Sequence, residues 1–208
     1  KQFKLSRKLL TLSPMPADQI VRDEMAYVLG ITQENAFLNG NGVNQPLGIF
    51  TASTDGIDTS RDIASTNTAA ALVPDGLIDA LYGLKAQYQA DASWVLHRLV
   101  VAQIRKMKDN YGQYLWQPSI QVGQPDMILG RPFYMSEYAP STYTANAYIG
   151  MVGAFKAGYW ILDAYEAFMQ VLNELFSQTG QIGYISETYT EGAPVLAEAF
   201  VRLKLGAS

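Results

Sequence analysis

Apolar positions recur at helical spacing from Pro16 to Leu38, and the pattern predicts one long helix there. At 100° per residue, Ile20, Val21, Met25, Tyr27, Val28, Leu29, Ile31, Ala36 and Leu38 fall on one broad arc, interrupted by Glu24 and Asn35. Gln19, Arg22, Asp23, Gln33 and Glu34 take the other arc, and Asp18 sits in the first turn, where a carboxylate complements the helix dipole. The apolar arc is too wide for a single packing seam, so the helix is expected to lie across a sheet and to touch further elements. Val28 is expected inside and Arg22 outside. Asn39 and Gly40 then fall where a helix closes its last carbonyls, and they are taken as its C-cap.

Other periodicities flank this helix. Residues 3–6, FKLS, alternate like the end of a strand. Residues 51–73, rich in Thr, Ser, Ala and Asp, are expected to be a surface excursion. Pro74 followed by Asp75 predicts a second helix running to about Gln89. SWVLH at 93–97 predicts a short buried strand, and residues 98–109 a third helix with Leu99, Ala102 and Met107 facing inward. From Tyr111 onward, strands separated by Gly and Pro are predicted at YLW, MIL, PFYMSE, AYIGMVG, GYWIL, FMQVL and IGYIS. The closing stretch has period two: Val195, Ala197, Ala199, Val201, Leu203 and Leu205 on one face; Leu196, Glu198, Phe200, Arg202 and Lys204 on the other. Helices and strands in this order predict an α+β layered fold.

Composition narrows the function classes. The 208 residues are 49% apolar, enough for a substantial core, and the net charge of −4 draws no nucleic acid by overall field. Cysteine is absent, which removes disulfides, thiolate nucleophiles and Cys-based metal sites and fits a reducing compartment. Neither a membrane span nor a secretory leader is expected, since no run of about 18 apolar residues and no basic-then-apolar start occurs. Charged residues make up 16%, below the roughly 25% of ordinary soluble domains, and Tyr numbers 13, a balance suited to extensive contact with other chains.

Each candidate for chemistry has a plainer explanation beside it. AFLNGNGVNQPLGIF, residues 36–50, carries three glycines and four amide side chains like a phosphate loop. The helix precedes the glycines, however, and a phosphate cradle needs a strand first and the helix after, so a helix C-cap is favoured. His97, the one histidine, is either a general base or a turn residue satisfying backbone at the start of the third helix. Asp75 and Asp79 share a helix face, and Glu187 and Glu191 a strand face; the first pair suits a divalent ion and the second a glycosidase, or both are solvated charges. Lys4, Arg7 and Lys8, and then Arg105, Lys106 and Lys108, form two small basic clusters able to meet phosphates, a neighbouring subunit or solvent. Trp94, Trp116 and Trp160 are expected in core or interface. None of these amounts to an active site. A carboxylate-based hydrolase and a nucleotide-binding module remain the alternatives from other classes.

Several stretches, in order, resemble the major capsid proteins of tailed bacteriophages, the HK97-like family. They are KLSRKLL before the long helix, AFLNGNGVNQPLGIF after it, WVLHRLVVAQIRKMKDNYGQYLWQP, ILGRPFYMSEYAP, GAFKAGYWI and AEAFVRLK, which are spread over nearly the whole chain. The resemblance implies an α+β HK97-like capsid fold with a long spine helix, an elongated antiparallel sheet and an axial α/β subdomain. It implies a peripheral domain over 1–44 and again over 163–208, with the axial domain between, at 45–162. The implied function is that of a structural head protein of a phage or prophage that self-assembles into a DNA-enclosing shell, with no turnover, cofactor or metal. The implied partners are copies of itself, a scaffolding protein, a maturation protease, a portal and non-specifically held double-stranded DNA, without a membrane. The implied location is the virion, and host cytoplasm during assembly. The family's GDGTG stands here as GNGVN (Gly40 to Asn44), and its later GD as Gly153 and Ala154, so no acidic role is carried onto these loops. The chain is expected to start where the family's extended hairpin ends, shortening its reach to neighbours. Some relatives cross-link subunits through a lysine and an asparagine; the lysine-bearing loop is not among these stretches, so that chemistry is not carried over.

Overall fold

The computed structural model describes residues 2–12, 17–64, 67–68, 71–109, 111–116 and 127–207. In chain order its first elements are β1 (Gln2–Ser6), α1 (Arg7–Leu12), α2 (Ala17–Asn39), β2 (Asp62–Ile63), α3 (Pro74–Tyr82), α4 (Ala86–Gln89), β3 (Ser93–Leu96) and α5 (Arg98–Lys106). They are followed by β4 (Met127–Ile128), β5 (Arg131–Met135), β6 (Tyr148–Gly153), α6 (Phe155–Gly158), β7 (Tyr159–Leu172), β8 (Gln181–Pro194) and β9 (Phe200–Lys204). Contacts group the chain into two compact units: Lys1–Ala36 with Ile161–Glu191, and Phe37–Trp160 with Gly192–Ser208.

The first unit holds a three-stranded sheet in the order β1-β8-β7. β1 runs antiparallel to β8, with Phe3 opposite Tyr184 and Leu5 opposite Ile182, so the FKLS alternation does mark a strand. The Arg7 amide donates to the Gly180 carbonyl at 2.8 Å, and the left-handed φ of 64° at Gly180 explains the glycine there. α2 occupies almost the span its periodicity predicts. Its buried face is narrower than the apolar arc: Met25 is 3% exposed, Val21, Val28 and Leu29 are half-buried, and Tyr27 is 65% exposed. Ile20 is exposed as well, and together with Tyr27 it forms an apolar stripe on the outside of the helix.

The second unit is built on a six-stranded mixed sheet in the order β2-β9-β6-β3-β5-β4. β3 and β5 are parallel, and the crossover between them contains α5, as parallel pairing requires. β6 is antiparallel to both β3 and β9, and β2 is parallel to β9. Apolar side chains pack on both faces. Val152, Val201 and Leu203 join Leu77 and Leu81 of α3 and Val100 and Ile104 of α5 in one cluster. Met151 and Phe200, one residue away along the same strands, join Leu38, Ile49, Phe50 and Ile57 in another. The Trp94 indole, fully buried, donates to the Ile128 carbonyl at 3.1 Å.

Several expectations are corrected here. The predicted 74–89 helix is two helices: α3 ends at Gly83, where a Cβ would lie 2.3 Å from the Ile63 side chain. α5 is rotated from its expected phase, burying Val100, Val101 and Ile104 and leaving Leu99 53% exposed. YLW forms only an isolated bridge at Tyr114, while GYWIL and FMQVL merge into β7. Residues 51–73 are anchored more firmly than a surface excursion, because Ile57, Asn67 and Leu72 are buried and the Asn67 amide donates to the Lys204 carbonyl at 3.0 Å. The closing alternation begins after a turn at Ala197–Ala199, and Arg202, on the face opposite Val201 and Leu203, is fully buried. β9 is hydrogen-bonded between β2 and β6, in the sheet of the second unit.

Arg202 is tolerated inside because it is paired. Its Nε donates to Asp62 Oδ1 at 2.6 Å, Nη2 donates to the Asp58 carbonyl at 2.8 Å, and the guanidinium lies over the Tyr148 ring at 4.7 Å. The Tyr148 hydroxyl donates to Asp62 Oδ2 at 2.9 Å. Burial, and then that hydrogen bond, push the tyrosine's pKa above its ordinary value. A raised folded pKa contributes stability that is complete below the unfolded value of about 10 and is lost as pH rises through the folded one. Thermal melts at pH 9 and pH 11 should therefore show a larger alkaline loss for the wild type than for Tyr148→Phe. An equal loss would remove Tyr148 from the account of alkaline stability.

Candidate functional site

The glycine-rich stretch after α2 is closed on itself. The amides of Ile49 and Phe50 donate to the Phe37 and Leu38 carbonyls at 3.1 and 2.9 Å, and the Gly48 amide donates to Gly40 at 2.9 Å. The helix end is thus capped by amides twelve positions ahead of the carbonyls they meet and not by a left-handed Gly40, since the positive φ falls at Gly42 and Asn44. Asn41 Oδ1 accepts from the Val43 amide and from Gln45, and the Asn39 side chain donates to the Tyr138 carbonyl. These amides are committed to the protein's own carbonyls and offer no phosphate cradle. A Cβ on Gly48 would stand 2.5–2.6 Å from backbone atoms of Leu38, Asn39 and Gly40. Gly48→Ala should accordingly cost at least about 1–3 kcal/mol, read as a lowered urea midpoint; an unchanged midpoint would mean that the loop does not lock the helix end.

His97 is the N-cap of α5. Its Nδ1 accepts the Leu99 amide at 3.1 Å, and Nε2 lies 3.4 Å from Glu137, whose other oxygen receives Arg98 Nε at 3.1 Å. Both ring nitrogens are occupied, which suits a cap and leaves no lone pair for a general base. Glu187 and Glu191 are both exposed on one strand, β8, where at about 3.3 Å per residue their Cα atoms stand roughly 13 Å apart. Asp75 lies in the first turn of α3, one turn before Asp79, and among the described residues no group of three or more metal-ligating side chains assembles. No helix among the described residues is long and apolar enough to cross a membrane.

The basic clusters are ordered by aromatic rings, an arrangement that the spacing of the cations alone does not reveal. Lys4 lies over Phe176 at 4.2 Å, Arg105 over Trp116 at 4.8 Å and Lys108 over Tyr114 at 4.8 Å. Sequence spacing also missed Glu198, which pairs with Lys85 and accepts the Tyr88 hydroxyl at 2.7 Å; these two partners hold its carboxyl below the usual glutamate range. The Lys85 and Glu198 side chains are 56% and 39% exposed, so their ion pair contributes little to stability. Of the tryptophans, Trp94 is core, Trp116 half-buried and Trp160 exposed.

The chemistry that remains is that of surfaces. Each unit shows large apolar side chains to the outside: Ile20, Tyr27, Ile161 and Leu162 in the first, and Tyr82, Tyr111, Tyr134, Met135 and Trp160 in the second. Scattered exposed apolar residues are ordinary, but runs of Tyr, Trp and Met of this size are typical of surfaces that meet other proteins. A mixed sheet covered on both faces and a long helix with an outer apolar stripe describe a subunit whose surfaces suit contact with other chains.

The profile of the phage capsid family matches residues 1–205. The chain belongs to that family and is a structural major capsid protein with the HK97-like fold. It is 27% identical to a chain in the capsid of a native GTA particle, covering 100% of this chain and 71% of that one with a TM-score of 0.83. The capsid of an empty GTA particle gives 28% identity, 100% and 72% coverage and a TM-score of 0.84. The SrpI encapsulin of Synechococcus elongatus PCC 7942 shares the fold, with 15% identity, 100% and 72% coverage and a TM-score of 0.71. A comparison with curated proteins gives no match.

Proposed function

We propose that this chain forms the wall of a phage or prophage head, self-assembling around double-stranded DNA through many modest contacts and performing no turnover. The observation that carries this is whole-chain likeness, with a TM-score of 0.83, to a capsid protein 27% identical. The unit containing most of α2 and the three-stranded sheet serves as the peripheral domain, and the six-stranded unit as the axial domain. The protein resides in the virion and passes through host cytoplasm during assembly. A scaffolding protein, a maturation protease and a portal are its expected assembly partners, and DNA contact is non-specific.

Assembly surfaces must outweigh the cost of ordering many subunits, so association should be concentration-dependent and cooperative. Sedimentation velocity of the purified complete natural chain should resolve large particles above a threshold concentration. Screens against glycoside, ester and nucleotide substrates should stay at the buffer rate. A turnover abolished by Glu187→Gln or Glu191→Gln would overturn the structural reading in favour of a hydrolase.

A further inference from the structure

Two Asn-Gly pairs follow one another at the end of α2, Asn39-Gly40 and Asn41-Gly42, and both asparagines are exposed. In such a pair the side-chain amide is open to attack by the next backbone nitrogen, because glycine carries no Cβ to obstruct the approach. Sequence and exposure do not separate the two pairs, but the loop does. Asn39 is the last residue of α2, where a helical ψ near about −40° would have to change before the nitrogen ahead could close on its side chain. Its Nδ2 donates to the Tyr138 carbonyl at 2.8 Å, Gly40 beyond it is buried, and the Gly48 backbone lies so close that a Cβ there would stand 2.5 Å from the Gly40 nitrogen. Asn41 lies outside the helix, and Gly42 to Gln45 are exposed with it. Its Oδ1 accepts the Val43 amide at 3.0 Å and Gln45 Nε2 at 2.7 Å, while its Nδ2 donates to nothing among the described residues. The Gly42 amide donates to the Pro46 carbonyl at 3.3 Å, longer than the roughly 2.7–3.2 Å of a firm bond.

We infer that Asn41 is a site of self-modification: in the folded chain its amide is converted to a carboxylate, while that of Asn39 is protected. The Gly42 nitrogen gives its proton to solvent and bonds to Asn41 Cγ, and the negative charge that builds on Oδ1 falls where the Val43 and Gln45 donors already point. The Cγ–Nδ2 bond then breaks, Nδ2 takes up a proton and leaves as ammonia, and a cyclic succinimide remains. Water opens the ring. Addition at Cγ leaves an aspartate at position 41, and addition at the main-chain carbonyl leaves an isoaspartate, with the chain running through Cβ and Cγ. Departure of Nδ2 breaks no hydrogen bond among the described residues, and the aspartate carboxylate keeps both donors, now in charge-assisted bonds. The loop therefore holds the aspartate at least as well as the amide.

The complete natural chain, incubated in mildly alkaline buffer both folded and unfolded in urea, tests this by mass spectrometry of its peptides with each position read separately. The folded chain should gain a carboxyl at position 41 at least about tenfold faster than at position 39, together with a more acidic band on isoelectric focusing. In urea, where neither helix nor loop survives, both positions should convert at similar rates. Asn41→Asp should melt at the wild-type temperature or higher, and Asn41→Gln should lack the acidic band. An amide that stays intact at position 41 in the folded chain, or equal rates at the two positions there, would overturn the proposal. So would a lowered melting temperature for Asn41→Asp, since the loop would then not accommodate the product.

Discussion

Arg202→Ala is expected to lower the unfolding free energy by about 3–5 kcal/mol, the range for breaking one side of a buried ion pair. The guanidinium is 0% exposed and its partner Asp62 nearly so, with their contact at 2.6 Å. Removing the arginine leaves the Asp62 carboxylate inside the protein with Tyr148 and, at 3.9 Å, Lys204 as its remaining neighbours. It also empties volume beside the Tyr148 ring. Urea unfolding of the single variant should give the loss directly. The double variant Asp62→Leu, Arg202→Met should recover much of it, because paired apolar replacements remove the stranded charge along with its partner. A single variant within about 0.5 kcal/mol of wild type, the ordinary range for surface changes, would mean that β2 and β9 are not held together by this pair.

The second large effect separates the two sides of α2. Met25 is 3% exposed, so Met25→Asp puts a carboxylate where the helix is buried, at a cost of several kcal/mol against a typical domain stability of about 5–15. That variant should be largely insoluble or molten by circular dichroism. Arg22 is exposed on the same helix, and Arg22→Glu should change stability by no more than about 0.5 kcal/mol. Particle formation is expected to slow nonetheless if that face meets a neighbour of like charge. Equal destabilisation by both substitutions would contradict the phase of the helix. Val28→Asp should fall between them, since Val28 is only half-buried.

The sequence reveals most where a physical period runs long. α2 could be located within a residue at each end because its apolar repeat persists for more than six turns. Its phase was only half legible, since Ile20 and Tyr27 are as apolar as Met25 yet lie outside. Hydrophobicity records that a side chain leaves water, not whether it does so against its own subunit or another surface. The Gly40–Gly48 loop could be separated from a phosphate cradle by element order alone, whereas its actual cap, the amides of Ile49 and Phe50, required the fold. Arg202 could not be placed in depth, because alternation does not say whether a face is wet, and β9 has no wet face: Phe200 packs with one cluster and Val201 with the other. Its partner Asp62 is 140 residues away in sequence, a separation no local pattern spans. The short helix α5 was found but rotated, as expected for a nine-residue element in which several apolar phases compete.

His97 caps α5, one of the two roles its place between strand and helix left open, and Glu198, which no spacing singled out, binds Lys85 and Tyr88. What the geometry presents to its surroundings is apolar surface and ring-stacked cations, features suited to contact with other chains.

Electron microscopy of the complete natural chain, purified and concentrated under native conditions, tests the capsid account most directly. Closed shells or capsomers of uniform size, whose subunit density accommodates both the six-stranded sheet and α2, are the predicted result. Monodisperse monomers across the concentrations, salts and pH values tried would contradict it.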